Sequence, residues 1–197
     1  MTNLKTIILS TIAIAMFTGC GPSDRAYDER KLALYLEHKP AQDARTQDVS
    51  DLIDSKIEDA LLISTLVNSN LSNVETIALV VFDNFVYLPD DLNEQALYLD
   101  EFDDDWTSLT TQGNKYAGDC EDFHLLLRDK LIKHTDINPN DIKLAIGEQY
   151  TKELEFVGLH AWLLVQGKFV NYWRVYDTTD LNSTKLVLKY AMTITNN

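Results

Sequence analysis

The chain has 197 residues, of which 45% are hydrophobic and 24% are charged, and its formal net charge is −14. This length and composition are typical of one globular domain that can bury a core without disulfide bonds. An acidic surface repels phosphate backbones, which argues against nucleic acid as a partner and favours divalent cations or basic proteins. The same charge also serves solubility alone, and that simpler interpretation stays open.

The N-terminus has the pattern of an exported lipoprotein. Lys5 precedes the apolar run TIILSTIAIAMF, which is too short for a membrane anchor, and FTGC follows, ending at Cys20. FTGC resembles the bacterial lipobox, which implies acylation of Cys20 and, because Gly21 follows, an outer-membrane location facing the periplasm. Ordinary secretion with cleavage nearby is the alternative. The predicted divisions are a signal peptide at 1–19, a tether at 20–45 and one domain at 46–197.

Two helical patterns precede residue 90. Apolar residues recur at helical spacing across 48–71, and a shorter candidate helix lies at 28–39 within the tether. A second helix is predicted from Ser72 or Asn73, with Glu75 in its first turn, and Pro89 ends it. The inward residues expected for the first helix are Leu52, Ile53, Ile57, Ala60, Leu61, Ile63 and Leu66.

From Asp119 the pattern predicts a third amphipathic helix, ending near His134, with Asp119 as N-cap and Asp122 completing a capping box. Alternating, β-rich segments follow, with turn signals at Pro139-Asn140 and Gln166-Gly167. Helices followed by antiparallel strands indicate the α+β class, with the third helix packed on the sheet. The predicted strands lie within 141–150, 156–166, 168–178 and 184–195.

Three side chains in this order can form a nucleophilic site. Cys120 begins a helix, where the helix dipole favours a thiolate, and it is the only thiol left if Cys20 is acylated. His160 lies in an apolar strand, and Asp177 ends the next predicted strand. If the two strands pair through the Gln166-Gly167 turn, residue 160 lies opposite about residue 175, and Asp177 is close enough to contact the His160 imidazole. Each also has a simpler interpretation, as a small core residue, a packed histidine and a turn residue.

These residues carry a family resemblance. GDCEDF at 118–123, HAWLLV at 160–165 and YDTT at 176–179 are similar to the transglutaminase-like cysteine proteinase superfamily. Trp106 lies fourteen residues before Cys120, as in the bacterial transglutaminase-like cysteine peptidases, whose periplasmic members cleave large surface adhesins. The resemblance covers about residues 100–180 and implies a papain/transglutaminase-like core.

The resemblance also implies roles for particular residues. Cys120 would be the nucleophile, His160 the general base and acid, Asp177 the carboxylate that orients the ring, and Trp106 a residue that shapes the site. It implies calcium bound by Asp119 and Glu121, whose charge would offset the acids beside the thiol. Additional candidate ligands are Asp103, Asp104, Asp105 and Asp122.

The function expected from this pattern is hydrolysis of a peptide bond in an envelope or surface protein, with an adhesin as the substrate that the resemblance implies. Three alternatives stay open: transfer of the acyl group to a lysine amine, calcium-dependent binding without catalysis, and a plain structural lipoprotein. The pattern requires no organic cofactor.

Overall fold

The computed structural model describes residues 25–67, 71–88, 110–150, 154–170 and 185–194. Within these ranges the chain forms three α-helices and two small sheets, which confirms the α+β class. The helices are α1 (Arg25–Leu66), α2 (Asn73–Asp83) and α3 (Cys120–His134), and a short 3-10 helix spans Pro139–Asp141. The strands are β1 (Phe85–Tyr87), β2 (Thr110–Gln112), β3 (Lys115–Gly118), β4 (Ile142–Tyr150), β5 (Phe156–Val165), β6 (Lys168–Val170) and β7 (Lys185–Thr193).

Helix α1 is one element of 42 residues, where the sequence predicts two separate helices, a short one at 28–39 and a longer one at 48–71. The helix runs through Pro40, which removes one backbone donor and ordinarily favours a helix end. Packing outweighs this cost, because Leu32 and Tyr35 before the proline and Ile53 after it are buried in the same core. None of the described helices is long and apolar enough to cross a membrane.

The core face of α1 agrees only in part with the predicted one. Ile53 and Ile57 are fully buried, as predicted, whereas Leu52, Ile63 and Leu66 are exposed. The prediction assumed that every apolar residue at helical spacing faces the core. In the structure the buried core residues of α1 lie between Leu32 and Ile57. The last turns of the helix extend beyond this core, so apolar side chains there are exposed to solvent.

Helix α2 begins as predicted and ends earlier. Ser72 is the N-cap: its hydroxyl accepts from the backbone N–H of Glu75, whose carboxylate accepts from the backbone N–H of Ser72. Asn84 then stops the helix, because its side-chain amide donates to the Val80 carbonyl at 2.7 Å. The predicted continuation toward Pro89 is wrong, since the β-branched and aromatic residues after Asn84 form strand β1.

The strands form two sheets around α3. In the first sheet β3 lies between β1, which is parallel to it, and β2, which is antiparallel. The second sheet is antiparallel, with the order β6-β5-β4-β7, and α3 packs on β5. The Gln166-Gly167 turn joins β5 to β6 and sets Leu163 opposite Val170. The predicted pairing of residue 160 with about residue 175 would set Leu163 opposite about residue 172, so the observed register differs by two residues. A shift of two keeps each side chain on the same face, because the pleat has a period of two.

A buried carboxylate ties the C-terminal end of α3 to α1. Asp54 of α1 accepts hydrogen bonds from Lys130 at 2.9 Å, Lys133 at 2.7 Å and His134 at 2.8 Å. Burial alone would raise the pKa of Asp54, but the bonds from Lys133, His134 and Lys130 outweigh it and lower the pKa from 3.8 to about 2. Lys130 also donates to the hydroxyl of Ser50, one turn earlier on α1. The far end of the cysteine-bearing helix is therefore anchored.

Candidate functional site

The Gly-Asp-Cys-Glu-Asp motif is the junction between β3 and α3. Gly118 ends β3, Asp119 is the N-cap and Cys120 is the first helical residue. The backbone N–H of Asp119 donates to Oδ2 of Asp122 at 3.3 Å, which is the side-chain-to-cap bond of a capping box. A Cβ at Gly118 would lie 2.3 Å from the same oxygen. The glycine therefore makes room for the carboxylate that caps the helix.

The thiol of Cys120 is buried beside negative charge. Cys120 is 7% exposed, and its Sγ lies 3.0 Å from Oε2 of Glu121, to which the S–H donates. Position at the first residue of a helix favours the thiolate, whereas an adjacent carboxylate disfavours it. The hydrogen bond to Glu121 holds the proton on sulfur in this arrangement. Activation of the thiol therefore requires a base, a cation near Glu121, or both.

The side chains of Asp119, Cys120 and Glu121 also have the geometry of a cation site. One ligand atom from each lies within 4.8 Å of the others, and all three residues are buried. The two carboxylates fit calcium, which takes six to eight oxygen ligands and would need others from main chain, water or a further carboxylate such as Asp122. The sulfur suits a softer ion and adds nothing to a calcium site. The donor set therefore fits calcium through Asp119 and Glu121.

His160 lies in the middle of β5, on the sheet that packs against α3. Its backbone pairs with Gly147 of β4, its ring is buried, and it stacks on Trp162 with centroids 6.2 Å apart at 29°. Gly147 is needed for this stack, because a Cβ there would lie 2.4 Å from the Trp162 ring and 2.2 Å from the carbonyl oxygen of Val187. The β5 face thus holds the His160 ring against a fixed indole.

His124 is a site residue that the sequence reasoning missed. It lies one turn after Cys120, fully buried, with Nδ1 at 2.6 Å from the Cys120 carbonyl oxygen. Its ring is edge-on to His160, with centroids 5.8 Å apart at 82°. Burial and then the neighbouring His160 lower the pKa of His124 from 6.5 to about 3, against the opposing effect of the Cys120 carbonyl. The four-residue spacing from Cys120 was the available signal, since such residues share a helix face.

The described candidates lie on two elements that pack together, α3 and β5. Cys120, Asp119 and Glu121 form the start of α3, and His124 connects this turn to His160 on β5. The remaining predicted residues lie outside the described ranges: Cys20, Trp106, Asp177, and the candidate ligands Asp103, Asp104 and Asp105. Their roles stay predictions.

Comparison of the chain with protein-family models, with curated proteins and with solved structures finds no match.

Proposed function

We propose that the protein is a thiol-dependent hydrolase of amide bonds, a cysteine peptidase with Cys120 as nucleophile and His160 as general base and acid. The observation that carries this proposal is the placement of Cys120 at the first residue of α3 while α3 packs on the strand that bears the buried His160. A helix-start cysteine and a strand histidine are the two parts that a papain/transglutaminase-like site requires.

The proposed reaction is acyl transfer through a thioester. His160 takes the proton from Cys120, and the sulfur attacks the carbonyl carbon of the substrate amide. His160 then gives that proton to the leaving amine, and the C–N bond breaks. Water attacks the thioester while His160 takes a water proton, which returns to the sulfur as the acid product leaves. Backbone amides at the start of α3 are proposed to hold the oxyanion, and Asp177 to orient the ring.

Calcium is proposed as the ion that relieves the unfavourable charge beside the thiol. Asp119 and Glu121 would hold it, and when bound it supplies positive charge that stabilises a nearby thiolate. The present hydrogen bond between Cys120 and Glu121 supports a need for such compensation, because it favours the protonated thiol. The chain's own part is to present two buried carboxylates at the helix start.

A protein of the cell envelope is proposed as the substrate, with a surface adhesin as the specific candidate, and an outer-membrane lipid anchor at Cys20 as the location. Support for the location comes from the pattern of residues 1–21 alone.

Casein incubated with a fluorescent amine separates the reaction classes. New N-termini indicate hydrolysis, and incorporation of the amine indicates transfer. A protein whose thiol is reactive but which gives neither product is a binding protein.

The first expected result concerns the reactivity of Cys120. The rate of its alkylation by iodoacetamide should rise with pH around a midpoint below about 7.5, the range of activated cysteines. His160→Ala should raise the midpoint to about 8.5, the value of a free thiol, or above it, because no base then takes the proton and Glu121 still disfavours the thiolate. The full chain with Cys20→Ser leaves one thiol, so mass spectrometry reports Cys120 directly. A midpoint near 8.5 in both proteins would exclude an activated nucleophile.

The second expected result concerns calcium. Chelation with EGTA should raise the alkylation midpoint, and added calcium should lower it again, because the cation stabilises the thiolate. Asp119→Asn and Glu121→Gln should abolish the response to calcium, while Asp136→Asn, an exposed acid just beyond α3, should keep it. An identical midpoint with EGTA and with calcium would remove the cation from the proposal and leave the Cys120–His160 pair.

A further inference from the structure

His124 occupies a position where an apolar residue would be less costly. The side chain is completely buried between α3 and β5, and its other neighbours include Phe123, edge-on at 5.0 Å. Burial of a polar ring without full hydrogen bonding costs free energy that leucine or phenylalanine would not incur. A histidine at this position therefore calls for a specific explanation.

The hydrogen bond to Cys120 fixes the state of the His124 ring. A carbonyl oxygen only accepts, so at 2.6 Å the proton is on Nδ1 and Nε2 carries a lone pair. No donor among the described residues bonds to Nε2. The ring is therefore held at one end by the main chain of the nucleophile's own residue, in one tautomer.

The same ring forms one wall of the space that His160 occupies. His124 contacts His160 edge-on, at 5.8 Å and 82°, while Trp162 stacks on His160 at 6.2 Å and 29°. Two rings in different orientations restrict both rotation of the imidazole and its displacement along the strand, because buried side chains pack at close to crystalline density. The rings of His124, from α3, and Trp162, from β5, therefore contact the His160 ring from two directions.

We propose that His124 is a positioning residue: bonded to the Cys120 carbonyl and packed edge-on against His160, it sets the placement of the base relative to the turn that carries the thiol. The inference rests on the proposed function, since it concerns the same pair of residues. His124 acts only through His160 and takes no proton from the thiol or from the substrate.

A double-mutant cycle between His124 and His160 tests this role, with the rate constant for alkylation of Cys120 by iodoacetamide at pH 7 as the readout. His124→Asn keeps a side-chain donor near the Nδ1 position and removes the rest of the ring. It should slow alkylation about tenfold, as expected when a catalytic group is misplaced by a fraction of an ångström. In the His160→Ala background the same change should have no further effect, because coupled residues are non-additive.

His134→Asn is the matched control, on the same helix about 15 Å further along its axis and bonded to Asp54. It should lower the melting temperature without slowing alkylation. Equal slowing by His124→Asn in both backgrounds would overturn the inference, and so would no slowing in either. If His160→Ala itself leaves alkylation unchanged, the proposed function fails, which is a different result.

A measurement on the unaltered protein covers the case in which His124→Asn does not fold. Long-range ¹⁵N–¹H NMR of the full chain should show His124 as the neutral Nδ1–H tautomer. The Nε2–H tautomer would overturn the inference, since the ring would then not be bonded to the Cys120 carbonyl.

Discussion

Asp54→Ala is expected to lower the free energy of unfolding by about 3 kcal/mol, because it leaves the buried ammonium of Lys130 without its carboxylate. Lys130 has almost no exposed surface, and after the change Ser50 is its one remaining hydrogen-bond partner among the described residues. Denaturant unfolding followed by circular dichroism measures the loss. The matched control is Asp51→Ala, an exposed acid one turn earlier, which should change stability by no more than about 0.5 kcal/mol.

Acid unfolding checks the same network with the sign of its pH dependence. The pKa of Asp54 is about 2 in the folded protein and 3.8 ordinarily, so the carboxylate contributes stability above about pH 4 and loses it as the pH falls toward 2. The wild type should lose roughly 2 kcal/mol over that interval from this group, and Asp54→Asn should not. Equal acid sensitivity of both proteins would show that the hydrogen bonds from Lys130, Lys133 and His134 do not stabilise the charged form of Asp54.

Gly147→Ala is expected to destabilise the second sheet by about 1–3 kcal/mol and to displace the Trp162 ring. The added methyl would lie 2.2 Å from the Val187 carbonyl and 2.4 Å from the indole, so either the β4–β7 pairing or the indole must move. Since His160 stacks on Trp162, alkylation of Cys120 should also slow. Thermal unfolding and the fluorescence of the folded protein measure the two effects.

The control for Gly147→Ala is Gly113→Ala in the β2–β3 turn. A methyl there meets no described atom within 4 Å, so its cost is limited to the backbone strain of a positive φ, about 1 kcal/mol. It should leave the tryptophan fluorescence of the folded protein and the alkylation of Cys120 unchanged. If the two substitutions have the same effect on alkylation, the contact between Gly147 and the indole does not position the His160 ring.

The elements that sequence patterns predicted well depend on contacts within four residues. Ser72 and Glu75 form the capping box of α2, and Asp122 caps α3 through the Asp119 N–H. The turn at Gln166-Gly167 is of the same local kind, with positive φ at both residues. Such features can be read from spacing, because both partners are fixed once the backbone adopts a turn or a helix.

The elements that were mispredicted depend on distant partners. The continuity of α1 through Pro40 is stabilised by core contacts on both sides of the proline, and β1 becomes a strand because it pairs with β3 about 30 residues later. The spacing of apolar residues shows which side of a helix is hydrophobic, but it does not show how far along the helix the core extends. For this reason Leu66, predicted to be inside, is exposed.

The candidate site likewise has features that follow from local sequence and features that depend on distant contacts. Placement of Cys120 between two acids at a helix start follows from the sequence alone, since motif, cap and helix are contiguous. The contact between His124 and His160, the stack on Trp162 above Gly147 and the anchoring of Asp54 exist only in the folded chain. They join residues up to 80 positions apart, whose proximity depends on how α3 packs between α1 and the sheet. Local spacing determines which chemical groups are present, and packing of non-local elements determines which of them meet.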